Sequence, residues 1–208
     1  MAVQDVYNAV IHYDRAGVAE LTRAELAAGR AVLTILNEGL IAPMDEVGRK
    51  YAEGALYLPE MLMAGQTMQA GLGVLKPVLA DTKASYAGTV VIGTVKGDLH
   101  DIGKNLVAMI LEGAGFQVFD LGVDVAKGRF VEAARARKAD LVALSALLTT
   151  TMPAMAEITA AVKEQAAGVR VIVGGAPVTR DFAGKIGADG YAQDGPGAVE
   201  LSRNLLKS

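Results

Sequence analysis

The sequence predicts a two-part α/β protein: a helical bundle over residues 1–80, a linker at 81–88, and a doubly wound five-stranded parallel sheet over 89–208. Three observations carry this reading. Residues 1–80 hold apolar side chains at helical spacing throughout. From residue 89 the apolar runs have strand length and alternate with helical stretches. Between the halves, "ADTKASYAG" is polar, small and aperiodic, as a linker is.

In chain order, "VQDVYNAVIHYDR" places Val3, Val6, Tyr7, Val10 and Ile11 on one helical face. "GVAELTRAELAAGR" reads as a helix from Gly17 to a stop at Gly29. In "AVLTILNEGLIAPMDEVGRKYAEG", Pro43 suits the start of a new helix and Gly54 lies near its end. A further helix runs from Leu58 to a stop at Pro77, giving four or five short helices, the content of a small bundle. The strand candidates are "TVVIGTV", "FQVFDLG", "DLVALSA", "VRVIVGGA" and "DGYAQD", several of them nearly continuous apolar runs. The intervening helices are "DIGKNLVAMILEGAG", "RFVEAARARKA", "TMPAMAEITAAVKEQAA", "TRDFAGKIGA" and "GAVELSRNLLK". Doubly buried strands and right-handed crossovers make this a flavodoxin- or Rossmann-like domain. Ligands of such sheets bind beyond the carboxyl ends of the strands, where "KGDLHDIG", "GVDVAKG", "SALLTTT" and "GGAPVT" meet.

Composition narrows the chemistry. The chain has 208 residues, a formal net charge of −3, two histidines and no cysteine. The charge balance gives no footing for nucleic acid, which needs a basic face. Without cysteine there is no disulfide framework, thiolate zinc site, cysteine-ligated iron–sulfur cluster or cysteine nucleophile. No apolar run is long enough to cross a bilayer, and "MAVQDVYNAV" has no basic region followed by an apolar one. A cytoplasmic location, with no membrane partner, is the expectation.

One stretch stands out. "GTVKGDLHDIGKN" puts Asp98, His100 and Gly103 at the tip of the first strand. Neither the dinucleotide nor the P-loop glycine signature is met there, and Gly97 and Gly103 by themselves only shape a turn. His100 also reads as a cap or surface residue, and Asp98 as an N-cap. Against that, a carboxylate two residues before an imidazole can accept one ring N–H and leave the other nitrogen free, the arrangement behind a metal-ligating histidine. No second ligand cluster is apparent, so the remaining positions around a metal come from another source, such as a macrocycle.

"DLHDIG" resembles the D-x-H-x-x-G signature of cobalamin-binding modules. "SAL" at Ser145–Leu147 resembles their S-x-L motif, and Gly174–Gly175 their glycine pair after the fourth strand. The helical half, with "EGALYLPEMLMAGQTM", looks like their cap bundle. The resemblance covers essentially the whole chain and is similar to the cap and cobalamin-binding modules of methionine synthase. At this length it is nearest in kind to the corrinoid proteins of methanol, methylamine, glycine betaine and methoxyarene methyltransferase systems.

That resemblance implies a corrinoid methyl carrier, inactive without its partners. It implies cobalamin or a related corrinoid, cycling through methylcobalamin, Co(I) and Co(II) forms, with His100 as lower axial ligand. Asp98 would orient His100, and Thr151 would complete the relay where methionine synthase has a serine. Proton uptake by the His100–Asp98 pair would accompany loss of the axial bond. Gly97, Leu99, Asp101, Ile102 and Gly103 would border the cofactor, with Gly103 leaving space for its nucleotide tail. Ser145, Leu147, Thr149, Gly174 and Gly175 would line the slot, with Tyr191, Asp194 and Gly195 on its far side. Met44, Tyr57, Leu58 and Met61 would cover the upper face, although Met and Leu at helical spacing equally suit a bundle core. The implied partners are a substrate-specific methyltransferase, a second methyltransferase serving tetrahydrofolate or a thiol, and a reductive activator. Two other classes share parts of this pattern. A cobalamin sensor commonly has a Trp-bearing cap and an effector region, and this chain has no Trp. A flavin or nucleotide protein explains the sheet but not Asp98, His100, Ser145 or the bundle. His12 reads as an ordinary helix residue, and "RARK" at 135–138 as a solvated face or a docking patch.

Overall fold

The computed structural model describes residues 2–81 and 86–207. Two compact units are present: the described residues among 1–85 with 113–115, and residues 86–112 with the described chain from 116 onward. The central residues of the expected linker, 82–85, lie outside the described residues.

The first unit is helical: α1 (Val3–Ile11), α2 (Arg15–Ala27), α3 (Val32–Thr34), a π-helical stretch (Ile35–Ile41), α4 (Ala42–Ala52) and α5 (Leu58–Asp81). In α1, Val6, Ala9 and Val10 form the buried stripe. Two boundaries differ from the sequence reading. Helix α2 begins at Arg15 rather than Gly17, because the Asp14 carboxylate accepts the Gly17 N–H at 2.9 Å and caps the first turn. As expected, Pro43 lies near the start of a helix, at the second residue of α4, which the wider π turns enter directly. Helix α5 continues past Pro77 to Asp81. Its buried stripe of Met61, Ala64, Met68, Leu72 and Leu75 is prolonged by Leu79, so burial beyond the proline offsets the lost hydrogen bond.

The second unit is a five-stranded parallel sheet in the order β2-β1-β3-β4-β5. Its strands are β1 (Thr89–Thr94), β2 (Gln117–Asp120), β3 (Leu141–Ser145), β4 (Arg170–Gly174) and β5 (Gly190–Tyr191). The helices are α6 (Ile102–Gly113), α7 (Lys127–Ala136), α8 (Met152–Gln165), α9 (Arg180–Lys185) and α10 (Gly195–Lys207). Helices α7 and α10 each start two residues earlier than expected. Strand residues Val91, Val142, Leu144, Val171 and Val173 pack with Phe130 of α7, Met155, Ile158 and Val162 of α8, and Ala183 of α9 in one core. On the other face, Ile110 of α6 packs against Gly195 at the start of α10. The central strands β1 and β3 are apolar and buried on both faces, which is why they read as continuous hydrophobic runs. The strand order is the flavodoxin-like one. Its reversal point lies between β1 and β3, so the loops leaving these strands diverge and open a crevice at their carboxyl ends.

Candidate functional site

That crevice is where Asp98 and His100 sit. Strand β1 ends at the fully buried Thr94, whose hydroxyl donates to the His100 carbonyl at 2.9 Å and ties down the loop. The chain then turns at Val95–Asp98, with the Asp98 N–H donating to the Val95 carbonyl at 3.1 Å and Gly97 at φ +84°. A positive φ at this point is why glycine occupies it.

Asp98 has no solvent exposure, and its carboxylate accepts five hydrogen bonds. Oδ1 takes the His100 ring Nδ1 at 2.7 Å and the His100 N–H at 3.1 Å. Oδ2 takes the Leu147 and Leu148 N–H groups at 2.8 and 3.3 Å and the Thr151 hydroxyl at 2.8 Å. Burial pushes the Asp98 carboxyl up. The bonds from the Leu147 N–H, the His100 ring and N–H, and the Thr151 hydroxyl outweigh it and hold the group well below the usual carboxylate range. An ionised carboxylate only accepts, so Nδ1 of His100 is the protonated nitrogen of the neutral ring and Nε2 carries the lone pair. Among the described residues, no group donates to Nε2. The side chain is 51% exposed.

Large aliphatic side chains flank His100 in the chain and on the facing loop. Leu99 is 71% and Ile102 86% exposed, and Leu147 and Leu148 are exposed on the facing loop. Large aliphatic side chains left in water around one imidazole mark a surface made to be covered. Among the described residues there is no group of three or more His, Asp or Glu able to hold a metal ion. A metal bound by His100 must therefore bring most of its own ligands, as the cobalt of a flat corrinoid ring does, and the apolar rim suits such a ring. A Cβ built on Gly103 would meet nothing within 4 Å, so space is open there too.

The other residues singled out from the sequence divide into groups. Asp101 accepts the Asn105 side-chain N–H at 3.0 Å on the first turn of α6. Ser145 ends β3, its carbonyl accepting the Val95 N–H at 3.0 Å, and Thr149 is exposed on the following loop. Gly174 and Gly175 permit close approach of backbone to backbone: a Cβ on Gly174 would lie 2.9 Å from the Ala192 carbonyl oxygen, and one on Gly175, at φ +128°, would overlap that of Ala146. Tyr191 is partly buried in β5, Asp194 accepts the Gly197 N–H at 2.8 Å and caps α10, and Gly195 is buried. In the helical unit, Met44 and Met61 are buried while Tyr57 and Leu58 are exposed.

Several residues escaped the sequence reading. Leu148 supplies a main-chain N–H, which has no sequence signature. Asp124, in the β2–α7 loop, bonds the 95–98 turn from the side opposite Thr151. Lys104, buried on α6, pairs with Asp120 and donates to Asn105 Oδ1 at 2.5 Å. Its sequence signal is a lysine on a helix whose other residues are mostly apolar. Elsewhere, Tyr7 donates a hydrogen bond to Glu46, and this bond, with burial and the Glu46 charge, pushes its phenol up to about 12.

The loops thus define a class of protein: a parallel α/β unit that presents one half-exposed imidazole beyond the carboxyl ends of its strands, with Nδ1 committed to a buried carboxylate. Comparison with known proteins is in keeping with this. A family model described as B12 binding domain matches residues 88–201, and a second model of the same description matches residues 2–76. Trimethylamine corrinoid protein 2 of Methanosarcina mazei is 44% identical over 206 residues, spanning 96% of this chain and 94% of that protein. Dimethylamine corrinoid protein 1 of Methanosarcina acetivorans is 45% identical over 175 residues, spanning 83% and 82%. Among solved structures, a chain of the methanol:cobalamin methyltransferase complex MtaBC from Methanosarcina barkeri superposes with a TM-score of 0.89 at 29% identity, covering 99% of this chain and 80% of that one. The chain belongs to the family of corrinoid proteins built on B12-binding domains. Among the described residues, no helix is long and apolar enough to cross a membrane.

Proposed function

We propose that this protein is the methyl carrier of a methylamine-type methyltransferase system. It takes a methyl group from a substrate-specific methyltransferase and yields it to a second one serving a thiol or tetrahydrofolate, with a reductive activator restoring it after oxidation. The carrying observation is the Thr151–Asp98–His100 chain, which holds Nδ1 protonated and leaves Nε2 as a free donor in an apolar rim. When bound, the corrinoid supplies a cobalt that accepts and releases the methyl group. His100 would hold the cobalt through Nε2. Asp98 fixes the tautomer and rotation of the ring and makes it a stronger donor. Thr151 and the Leu147 and Leu148 N–H groups keep Asp98 ionised.

Gly97, Leu99, Asp101, Ile102, Ser145, Leu147 and Thr149 are assigned to the cofactor's border, and Gly103 to the passage of its tail. Gly174, Gly175, Tyr191, Asp194 and Gly195 are assigned to the far wall. The helical residues 1–80 are assigned the role of cap, with Tyr57 and Leu58, exposed in their own unit, as the better candidates to meet the cofactor than Met44 and Met61. The trimethylamine and dimethylamine names of relatives at 44–45% identity support methylamines as the donor class.

Reconstitution tests this. The purified chain, incubated with hydroxocobalamin and gel-filtered, should retain the corrinoid spectrum and, once a chemical reductant has brought the cobalt to Co(I), take up label from ¹³C-trimethylamine in the presence of an amine-specific methyltransferase. A chain that remains colourless would refute the reading.

A further inference from the structure

Asp124 lies outside every role assigned so far, yet it holds more of the His100 loop than any other residue of the β2–α7 connection. Its N–H donates to the Asp98 carbonyl at 2.9 Å. Its Oδ1 accepts the Gly97 N–H at 2.8 Å, and its Oδ2 accepts the Lys96 ammonium at 2.9 Å. One aspartate thereby engages three consecutive residues of the 95–98 turn. Its neighbour Val125 extends the hold, bridging Val95 and donating its N–H to the Thr94 carbonyl at 3.0 Å. To make these contacts Asp124 adopts φ +53°, a left-handed backbone that non-glycine residues rarely take. Strain of this kind persists only where surrounding bonds over-determine it, and it gathers at functional sites.

The consequence concerns direction. The carboxylate of Asp98 is anchored on one flank by the loop after β3. The Asp98 N–H on the Val95 carbonyl and the Thr94 hydroxyl on the His100 carbonyl hold the loop from the β1 side, but neither bond engages the Asp98 carbonyl, whose drift would swing the imidazole two residues on. The bond from the Asp124 N–H to the Asp98 carbonyl, with the brace across Lys96 and Gly97, fixes the other end. We infer that Asp124 is a positioning residue for His100, clamping the 95–98 turn so that Asp98 presents the ring with Nε2 outward. This rests on the reading of His100 as the axial ligand, and it concerns geometry that exists before any cofactor binds.

Two substitutions separate backbone from carboxylate. Asp124→Gly keeps the left-handed backbone and the N–H to Asp98 while deleting the carboxylate. Asp124→Asn keeps an acceptor for the Gly97 N–H and tolerates the backbone, losing only the charge facing Lys96. In the apoprotein, ¹⁵N–¹H long-range correlation of the His100 ring should show the Nδ1–H form in the wild type and in Asp124→Asn, and mixed tautomers in Asp124→Gly. Hydroxocobalamin should bind Asp124→Gly on the order of tenfold more weakly than wild type, with Asn recovering most of the loss. In the reduced cob(II) form, the imidazole-nitrogen splitting in electron paramagnetic resonance should weaken in Gly and persist in Asn. Should Asp124→Gly fail to fold, Asp124→Ser, which also lacks the carboxylate, takes its place. Wild-type tautomer, affinity and splitting in the carboxylate-free variant would overturn the inference. Absence of imidazole splitting from the wild type would instead overturn the axial-ligand reading, and the apoprotein tautomers would still decide the role of Asp124.

Discussion

Replacing Asp98 by Asn exchanges one oxygen for an NH₂ group and should invert the placement of the proton on His100. Three donors converge on Oδ2, from Leu147, Leu148 and Thr151, so the remaining carbonyl oxygen of the amide will face them. The NH₂ then occupies the Oδ1 position, 2.7 Å from His100 Nδ1, and can only donate there. Nδ1 must become the acceptor, and the proton moves to Nε2, the nitrogen assigned to the metal. Loss of the buried charge-assisted bonds should cost the apoprotein about 2 kcal/mol. Loss of the free Nε2 donor should weaken corrinoid binding roughly 10- to 100-fold, which is about 1.4–2.7 kcal/mol. The pH dependence has a defined sign. The folded Asp98 carboxyl is held below its ordinary value, so its stabilisation is complete above about pH 4 and is lost as pH falls toward the folded value. The difference in urea midpoint between wild type and Asp98→Asn should therefore shrink on acidification below about pH 4. Tautomers are read by ¹⁵N correlation, stability by urea unfolding, and affinity by titration with hydroxocobalamin. An Asn variant that keeps the proton on Nδ1 and binds as tightly as wild type would refute the reasoning.

Gly103→Ala has open space and an ordinary φ on α6, so it should leave the apoprotein as stable or up to about 1 kcal/mol more so, while lowering hydroxocobalamin affinity where the tail must pass. Gly175→Ala should do the reverse, destabilising the chain by about 3 kcal/mol in urea, because the new methyl overlaps the Ala146 carbonyl at a left-handed φ. Tyr7→Phe should cost about 1 kcal/mol at neutral pH by removing the bond to Glu46. Because the Tyr7 phenol is raised from 10.0 to about 12, that difference should hold up to about pH 10 and vanish as pH rises through about 12. A difference growing with alkalinity would contradict it.

The fold class was legible because doubly buried strands announce themselves as apolar runs between amphipathic helices. The strand order was open between flavodoxin- and Rossmann-like, since crossover direction leaves no mark in periodicity. The helical unit was misread where tertiary burial overrides a local breaker: Leu79 carries α5 past Pro77. At the site, the contact between Asp98 and His100 is local, two residues apart, and spacing suffices to anticipate it. Thr151 came only through resemblance, lying 53 residues from Asp98. The Leu147 and Leu148 amides and the Asp124 brace could not be seen at all. Two are main-chain groups, and the third is one aspartate among many until the sheet brings the β2–α7 loop beside the 95–98 turn.

The central claim is one bond, from His100 Nε2 to cobalt, and isotopic labelling addresses it directly. The chain is prepared with ¹⁵N-histidine, loaded with cobalamin and reduced to the cob(II) form for electron paramagnetic resonance. The account predicts that the threefold nitrogen splitting becomes twofold on labelling, persists in His12→Gln, and disappears in His100→Ala. Threefold splitting unchanged by the label would mean that the nitrogen under cobalt belongs to the cofactor's own base, and the account would be contradicted.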